Sequence, residues 1–591
     1  MAAEEPALYL WKKTWQYSEG NRHKVALYLI LSVFANVVNF LQPLVVAYLL
    51  NTIQQEGVTH ENIARLLLTT LLFVALSIGF WSFHGPMRVI ETKNAFLVRA
   101  NYRKHLVDGV LALPASWHAE HHSGDTIDRI EKGTTGLSRY ASNTYEVVET
   151  IIRFASSLAA LFYFNLTSGF VVLFFVVLAV SIVLHYDKTL RTYWREINLA
   201  ENATAQKVFD FISNITTVII LRLERTASSQ IMQRIMHPFG TFSCFTRTNE
   251  LKWALVSFSS NAMICGVIAA YLLHALATGT VVLVGTVYAL YGYVDRISGL
   301  FYRFAYRYSD IVQQKTAVEN AEELAKDFVE PQERRQVRMD EWKELRVSHL
   351  TFSYDSGGRG KQEHLHLSDM TITIRRGEKI ALIGESGSGK TTFLKLLRGL
   401  YTPEHATVTV DGREIESFGA ISDGISLIPQ DPELFTATIR ENITMGGTYD
   451  QTLVREHTDL ACFTSVAERL PRKLDSSIKE KGVNLSGGEK QRLALARGLL
   501  VSRGKEIILM DEPTSSVDTK NESRIYQNIF SRHKETTIIS TVHRLHLLPM
   551  FDTIYWFDKG RIVAHGSLKQ LLRTSPRFRA LYERTKRKTT K

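Results

Sequence analysis

The stretch 384-GESGSGKTT-392 decides the fold of the second half of this 591-residue chain. It matches the pattern G-x-x-x-x-G-K-[ST] and lies between a strand-like run, KIALI, and a helix-like run, FLKLLRGL. A loop in this context cradles nucleotide phosphates, because its glycines let backbone N–H groups close around them. Lys390 would place a cation on the outer phosphates, and Thr391 would offer a hydroxyl to Mg²⁺. The nucleotide-binding residues predicted here are Gly384, Glu385, Ser386, Gly387, Ser388, Gly389, Lys390, Thr391 and Thr392.

Two adjacent carboxylates, Asp511 and Glu512, follow the strand-like run EIILM downstream of this loop. Asp511 suits the shell of Mg²⁺, which it would reach through water, and Glu512 suits the orientation and polarisation of an attacking water. His543 follows another strand-like run, TTIIS, from which it can reach the γ-phosphate. Each residue alone is compatible with a soluble strand end. In this order behind a phosphate loop they predict ATP hydrolysis, with Glu512 and His543 as the catalytic residues.

A second phosphate-seeking turn lies in 485-LSGGEKQR-492, where a serine and two glycines precede a charged helix start. Bare backbone N–H groups and the helix dipole make such a turn a good anion site. One nucleotide does not need two such turns from the same chain. The pair of turns therefore raises the question of which nucleotide the second one serves.

The first half of the chain contains apolar stretches of about 20 residues, the length that a helix needs to cross a bilayer. Three connections between them, 51–62, 165–167 and 277–280, lack Lys and Arg, whereas the alternate connections are rich in both. This asymmetry predicts that both termini are cytoplasmic. It also attributes the formal net charge of +11 to membrane topology rather than to a nucleic-acid surface. The predicted spans are 25–50, 63–85, 145–164, 168–186, 253–276 and 281–304.

Two long cytoplasmic connections, 86–144 and 187–252, continue the helical pattern, so the second to fifth membrane helices should project beyond the bilayer. Each projection is interrupted, near 111–125 and near 209–221. Short cross-helices that dock against another domain and plain loops at a helical turn are both compatible with these interruptions.

A polar, charged segment at 329–343 is the predicted linker between a transmembrane domain, 1–328, and a second domain, 344–591. In the second domain, short β-branched runs such as 345–354 alternate with helical patterns, which is typical of an α/β fold with a largely parallel sheet. The predicted fold is therefore a membrane α-helical six-span domain followed by an α/β P-loop ATPase domain.

Polar residues inside the predicted third and sixth spans are candidates for contact with a transported compound, because such residues are costly in a bilayer and usually face a wet cavity or a bundle interior. Adjacent Asp295 and Arg296 point about 100° apart on a helix and cannot simply neutralise one another. A cavity suited to an amphiphile with a charged head and a structural ion-pair network between the two helices both fit this pattern. The candidate residues are Arg153, Tyr288, Asp295, Arg296 and Arg303.

Taken together, the motifs resemble those of the ABC transporter family, specifically exporter-fold half-transporters, and the resemblance covers essentially the whole chain. It implies an aromatic nucleotide contact at Tyr354, a Q-loop at Gln430 that binds the nucleotide and Mg²⁺, and a D-loop at 515–518. In this family two ATPase domains pair head to tail, so the second turn closes over the ATP of the other chain. The residues that the resemblance assigns to this contact are Ser486, Gly487 and Gly488.

The resemblance also implies coupling helices near 114–122 and 211–219, which would carry the motion of the ATPase domains to the membrane helices. Two departures from the common family pattern are Glu489, where many members have Gln, and Val542 before the histidine. Glu at this position is common enough in the family that we expect a competent site, although a second carboxylate near the ribose would weaken nucleotide affinity.

The function implied by the resemblance is transport across a membrane driven by ATP hydrolysis, with ATP and Mg²⁺ as cofactors and membrane lipids as surroundings. We expect an exporter or flippase of a lipid or amphipathic compound that acts as a dimer, with a homodimer favoured and a heterodimer possible. Uptake and an ATP-gated regulator without net transport are the alternatives, and no nucleic-acid partner is expected. The expected location is a bacterial plasma membrane.

Overall fold

The structure is a computed structural model that describes residues 5–328, 337, 339, 341–354, 366–478 and 485–589. The chain forms two compact units. The first comprises Met1–Ala112 and His122–Phe328, and the second comprises Leu113–His121 and Val329–Lys591. Most of the predicted linker, at 329–336, 338 and 340, lies outside the described residues.

The first unit is helical throughout its described elements. Its helices, together with the short α5 that falls in the second unit, are α1 (Pro6–Tyr17), α2 (Arg22–Phe40), α3 (Gln42–Glu56), α4 (Ile63–Ala112), α5 (Ala115–Glu120), α6 (Ser123–Ser142), α7 (Thr144–Phe164), α8 (Leu166–Ser213), α9 (Ile215–Ile220), α10 (Glu224–Met236), α11 (Phe239–Thr278) and α12 (Val284–Ala325).

Among the described residues, five helical segments are long and apolar enough to cross a membrane. They are Arg22–Glu56, Ile63–Ala112, Ser123–Phe164, Leu166–Ser213 and Glu224–Thr278. The sixth predicted span, 281–304, corresponds to the start of α12, which is a continuous helix but carries Asp295, Arg296 and Arg303. A helical membrane domain is therefore confirmed, and the count of six spans stays a prediction.

The helices α4 and α8 contain 50 and 48 residues. At about 1.5 Å of rise per residue, each is more than twice as long as the hydrocarbon core of a bilayer, which is about 30 Å thick. The two predicted interruptions contain the short helices α5 and α9, and Pro114 is the residue before the start of α5. Short helices rather than plain loops therefore occupy both places.

Gly285, Gly292 and Gly299 recur every seven residues in α12 and form a glycine stripe. Close packing between α3 and α12 explains part of this pattern. A Cβ atom on Gly285 would lie 2.0 Å from the carbonyl oxygen of Ala47, and the Gly285 N–H donates to Asn51 Oδ1 at 2.8 Å. Gly292 faces Pro43 at ordinary contact distance, whereas Gly299 has open space around it. The glycine stripe thus serves helix packing at its first turn and leaves an open face further along.

The second unit is an α/β domain. Its strands are β1 (Glu344–Phe352), β2 (Leu367–Arg375), β3 (Lys379–Ile383), β4 (His405–Val410), β5 (Arg413–Ile415), β6 (Ile425–Ile428), β7 (Ile507–Met510), β8 (Thr537–Thr541), β9 (Thr553–Asp558) and β10 (Arg561–Gly566). Its remaining α-helices are α13 (Lys390–Leu397), α14 (Ile439–Thr444), α15 (Gln451–Leu460), α16 (Thr464–Glu468), α17 (Gly487–Val501), α18 (Thr519–Arg532), α19 (Leu568–Thr574) and α20 (Pro576–Thr589).

These strands form two sheets with different patterns of burial. The order β10-β9-β3-β8-β7-β6 is parallel except at β10, and β3, β7 and β8 are buried along their whole length. The order β2-β1-β4-β5 is antiparallel, with alternating burial in β1 and β2. The largely parallel sheet is confirmed, but the run 345–354 belongs to the antiparallel sheet, because its alternating pattern suits strands with one solvated face.

The parallel sheet brings the predicted site together. The carboxyl ends of β3, β6, β7 and β8 lie at one edge, and the phosphate loop, Gln430, the two carboxylates and His543 directly follow these ends. Ligands of such sheets bind outside the carboxyl ends of the strands.

Candidate nucleotide site

The phosphate loop between β3 and α13 adopts conformations that require glycine. Gly384 has φ +150°, and a Cβ atom there would lie 2.3 Å from the carbonyl oxygen of Phe557. Gly389, the residue before α13, has φ +101°. A Cβ atom on Gly389 would lie 2.5 Å from the side chain of Leu367. Gly387, by contrast, has open space. The loop therefore leaves its backbone accessible where a phosphate group would approach.

Lys390 is the cation of this loop and is 5% exposed. Its Nζ donates to the carbonyl oxygens of Gly384 and Glu385, both at 2.9 Å. Burial lowers the pKa of Lys390, while the nearby carboxylates of Glu512 and Asp511 act in the opposite direction. A compact ammonium held by loop carbonyls suits a phosphate site, since phosphate oxygens can take over these hydrogen bonds.

Asp511 directly follows β7 beside the loop and is 5% exposed. Burial raises its pKa, and hydrogen bonds from the side chains of Thr391 and Thr541 act against this rise. The Thr541 hydroxyl donates to Asp511 Oδ1 at 2.9 Å. A carboxylate next to a threonine hydroxyl at the start of α13 is a donor set of hard oxygens, which fits Mg²⁺.

Glu512 contacts two of the other predicted site residues. Gln430 Nε2 donates to Glu512 Oε2 at 2.8 Å, and His543 Nε2 forms a hydrogen bond with Glu512 Oε1. The backbone of Glu512 is left-handed, with φ +44°, which is unfavourable for a residue with a side chain. Strained backbone of this kind clusters at functional sites. The carboxylate is thus held between an amide and an imidazole at the edge of the sheet.

The second turn begins α17 with a capping box. The Ser486 hydroxyl accepts from the Glu489 N–H at 3.3 Å, and the Ser486 N–H donates to the Glu489 carboxylate at 2.9 Å. Arg469 forms an ion pair with the same carboxylate at 2.7 Å. The Ser486 N–H is the main cause of a lowered pKa for Glu489. The Glu489 carboxylate therefore serves the helix start and is neutralised within its own chain.

This second turn packs on the D-loop of its own chain. A Cβ atom on Gly488 would lie 2.7 Å from the carbonyl oxygen of Ser516, whereas one on Gly487 would only touch the Ser516 side chain at 4.0 Å. Within the part of the chain that the structure describes, no hydrogen bond joins residues 486–488 to the phosphate loop. The two phosphate-seeking turns are therefore not paired with each other by hydrogen bonds inside one protomer.

Comparison with known proteins agrees with this geometry in both units. The model of the ABC transporter transmembrane region matches residues 25–294, and the ABC transporter model matches residues 367–515. Together the two matches cover more than half of the chain. The chain belongs to the ABC transporter family.

Its relatives include an ABC transporter of similar length and a longer one. A multidrug resistance ABC transporter ATP-binding and permease protein of Lactococcus lactis is 26% identical over 93% of this chain and 92% of its own length. The ATP-binding cassette sub-family B member 6 of Xenopus tropicalis is 30% identical over 78% of this chain and 54% of its own length. A bacterial Atm1-family ABC exporter with ATP bound shares the fold, with a TM-score of 0.81, 20% identity and coverage of 95% and 99%.

As an ABC transporter with the fold of an exporter, this integral membrane protein binds ATP and couples its hydrolysis to transport. The remaining predicted nucleotide contact, Tyr354, lies at the end of the antiparallel sheet. Its ring packs edge-on against Tyr401 and His366, with centroids 5.2 and 4.9 Å apart. Tyr354 therefore does not belong to the cluster around Glu512. It forms a separate aromatic group with Tyr401 and His366.

The polar residues of the membrane helices fall into separate groups. Glu149 pairs with Arg153 at 2.6 Å on the same helix and with Arg303 of α12 at 3.2 Å. Arg296 donates to the carbonyl and side-chain oxygens of Asn39 at 3.1 and 3.3 Å. Ion pairs between α7 and α12 are therefore present, as expected for a structural network.

The two other candidates lie outside these groups. Asp295 is exposed in the protomer, and so is Tyr288, at 43%. Neither takes part in the Glu149 ion pairs. They occupy the face of α12 that the first unit does not cover.

Two residues that the sequence motifs do not single out complete the nucleotide site. Thr541 binds both carboxylate residues, through Asp511 Oδ1 and the Glu512 N–H at 2.6 Å. Gln491, two residues beyond Glu489, binds the backbone of Glu512 and the D-loop. Gln491 lies in the stretch 485-LSGGEKQR-492, but its partners depend on the packing of α17 against the end of β7.

Proposed function

We propose that this ABC transporter is an exporter or flippase of a lipid or other amphipathic compound, and that it works as a dimer with two ATP sites at the interface. The observation that carries the proposal is the cluster of Gln430, Glu512 and His543 beside the phosphate loop. Together with Lys390, Thr391 and Asp511, these residues supply the groups that one chain provides for hydrolysis, and a second turn would supply the remaining contact.

The second turn supports the dimer. Its residues 486–488 contact their own D-loop, so they are presented on a rigid helix start rather than folded onto their own phosphate loop. A helix N-terminus with bare N–H groups attracts phosphate. In a head-to-tail pair, this turn would close over the ATP of the partner subunit. Two identical chains are sufficient, since each supplies a complete set of groups.

The roles of the residues follow from their geometry. Lys390 and the N–H groups of the phosphate loop hold the β- and γ-phosphates, and Tyr354 stacks on the base. Glu512 accepts a hydrogen bond from the attacking water and orients it, while His543 contacts the γ-phosphate and steadies the Glu512 carboxylate. Thr391, Gln430 and Asp511 would hold Mg²⁺, which neutralises phosphate charge when bound.

The exposed face of α12 supports an amphipathic substrate. Tyr288 and Asp295 are exposed there, and a lipid-facing position for a carboxylate is costly, so this face suits a water-filled cavity. Arg153 and Arg303 share one carboxylate, which leaves one unit of positive charge in this group. Arg296 adds a further cation on the same helix. A compound with an apolar body and an anionic head would match these residues.

The relatives and the charge pattern of the loops support the remaining details. The Lactococcus lactis relative is a multidrug resistance transporter, which favours export. Loops rich in Lys and Arg would lie in the cytoplasm together with both termini and the ATPase domain. We propose the plasma membrane of a bacterium as the location.

The test is the ATPase activity of the protein expressed alone and placed in lipid nanodiscs, compared with Glu512→Gln. We expect activity that falls at least about 100-fold in the variant, because the amide cannot accept the proton or orient water as a carboxylate does. Lys569→Ala, an exposed change on α19, serves as the control. Activity that survives in Glu512→Gln would contradict the assigned role, and an inactive wild-type protein would contradict the homodimer.

A transport assay separates the exporter from the alternatives. In inside-out vesicles, ATP should drive a fluorescent anionic lipid analogue away from the leaflet that faces the ATPase domain. Movement in the opposite direction would favour uptake. ATP hydrolysis without any net movement of the lipid analogue would favour a gated regulator.

A further inference from the structure

The side-chain amide of Gln491 is buried in α17, with 4% exposure, and all its hydrogen bonds run to one turn of the chain. Its Nε2 donates to the carbonyl oxygen of Glu512 and to Ser515 Oγ, both at 2.9 Å. Its Oε1 accepts from the Ser516 N–H at 2.8 Å. Both donors and the acceptor of this amide are therefore used.

These bonds hold the backbone of Glu512 in an unfavourable conformation. The φ of +44° places Glu512 in the left-handed region, which a residue with a side chain adopts only where its surroundings fix it. Thr541 Oγ1 holds the Glu512 N–H at 2.6 Å, and Gln491 holds its carbonyl oxygen. The peptide groups on both sides of the Glu512 side chain are thus fixed by side chains from α17 and β8.

The D-loop is fixed by the same helix through a second, independent contact. Gly488, one turn before Gln491, approaches the Ser516 carbonyl so closely that a Cβ atom would lie 2.7 Å from it. At its other end the loop is held by Arg544, whose Nη1 donates to the carbonyl oxygen of Val517 at 2.9 Å. The start of α17, the end of β7 and the D-loop therefore form one rigid group.

We propose that Gln491 is a positioning residue for ATP hydrolysis. It fixes the backbone of Glu512 and the first D-loop residues, so that the Glu512 carboxylate keeps the direction in which it meets Gln430 and His543. The proposal rests on the proposed role of Glu512. It adds the group that holds Glu512 in place.

The proposal has a consequence for a dimer. The helix that carries Gln491 begins with Ser486, Gly487 and Gly488, the residues that would touch the ATP of the partner subunit. Binding of that ATP would therefore act directly on the same rigid helix start that aligns Glu512 at the other site. Gln491 would join the two sites through a few residues of one protomer.

The test compares the full-length protein in nanodiscs with Gln491→Leu and Gln491→Glu. Leucine removes both donors and the acceptor, so kcat should fall about tenfold or more. The KM for ATP should stay within about twofold, since the contacts of Gln491 do not reach the phosphate loop. Gln527→Leu, at an exposed position of α18, is the matched control and should leave both values unchanged.

The pH profile distinguishes positioning from simple support of the fold. In Gln491→Glu, an ionised carboxylate repels the Glu512 carbonyl oxygen, whereas a protonated carboxyl donates to it. The kcat of this variant relative to wild type should therefore rise as pH is lowered from 9 to 6. The same ratio for Gln491→Leu should not change with pH. Equal pH dependence of the two ratios would overturn the proposal.

A second variant keeps the test valid if the buried changes prevent folding. Ser515→Ala removes one partner of Gln491 at an exposed position, and it should lower kcat about two- to threefold at an unchanged melting temperature. A wild-type kcat in Ser515→Ala, or in a folded Gln491→Leu, would overturn the proposed role of Gln491. If Glu512→Gln is inactive in the same assay, the proposed function still stands. Activity in Glu512→Gln would overturn both.

Discussion

The nucleotide site and the polar residues of the membrane helices hold their charges in different ways. In the nucleotide site, Lys390 donates to backbone carbonyls of its own loop, and the backbone groups of Glu512 bind the side chains of Thr541 and Gln491. In the membrane domain, Glu149 is held by two guanidinium groups on α7 and α12. Backbone partners are fixed by local sequence, whereas side-chain partners depend on which helices pack together.

The two regions also differ in how many of their charged groups are paired within the protomer. The nucleotide site directs its polar groups at one another around a shared edge of the sheet. The membrane helices bury some charges in pairs and leave Asp295 exposed. A phosphate site can therefore be recognised by a spacing of residues, and a substrate cavity cannot.

The largest expected effect tests whether the nucleotide site is complete in one protomer. Gly487→Ala adds a methyl group that has space within its own chain. We expect the ATPase rate to fall at least about tenfold at an unchanged melting temperature, because the methyl group would meet the ATP of the partner subunit. An unchanged rate would contradict the interface site.

Gly488→Ala is the matched variant, because its methyl group would clash with the Ser516 carbonyl in the same chain. It should lower the ATPase rate and also destabilise the protein by about 1–3 kcal/mol. Equal melting temperatures for the two glycine variants would contradict the difference in local packing.

The next effect tests the ion pairs between the membrane helices. Glu149→Gln leaves Arg153 and Arg303 without their shared carboxylate, of which the side chain is 12% exposed. We expect a loss of about 1–3 kcal/mol in stability, since the two neighbouring cations then repel one another beside a mostly buried amide. Thermal unfolding in detergent or nanodiscs measures it. No loss would indicate that these residues face water and serve the substrate instead.

Asp295→Ala should have a smaller effect of a different kind. Asp295 is exposed and stands apart from the Glu149 ion pairs, so dimer assembly and the melting temperature should not change. The ATPase activity stimulated by an amphipathic substrate should change about two- to fivefold, as expected for one partly solvated charge. Loss of assembly would assign Asp295 to the structural network and remove it from the cavity.

The smallest effect concerns Glu489. Its carboxylate already binds Ser486 N–H and Arg469, so Glu489→Gln should change the KM for ATP by less than about twofold. A larger gain in affinity would mean that the carboxylate lies near the ribose, as the sequence suggested.

The pH dependence of the helix start follows from the same contacts. The pKa of Glu489 is lower in the folded protein than its ordinary value of 4.5. The folded state thus gains stability from the ionised carboxylate above this value, and the gain disappears as pH falls through the lowered pKa. Glu489→Gln should remove this acid-dependent part of the unfolding curve.

Much of the nucleotide site could be predicted because each motif directly follows a strand of one parallel sheet. The loop at 384–392, the pair Asp511 and Glu512, and His543 all lie at the same edge. Gln491 could not be assigned in this way. Its spacing from Ser486 is visible in the sequence, but its partners lie more than 20 residues further along and meet it only after folding.

The membrane domain also shows which features the sequence could predict and which it could not. The helices and the two interruptions near 111–125 and 209–221 could be predicted from apolar length and broken periodicity. The pairing of Glu149 with Arg303 joins two helices distant in sequence, and the antiparallel strand β1 was expected in a parallel sheet. Both depend on which surfaces meet, and a local pattern does not contain that information.

The sequence by itself determined the family, the order of the two domains and the positions of the phosphate loop and its carboxylates, because these follow from short motifs with fixed backbone geometry. Only the tertiary structure decided how Glu512 is held, that Glu489 caps its own helix, and which polar membrane residues pair. The physical reason is that backbone geometry is local in the chain, whereas the partners of a buried side chain are chosen by packing between distant segments.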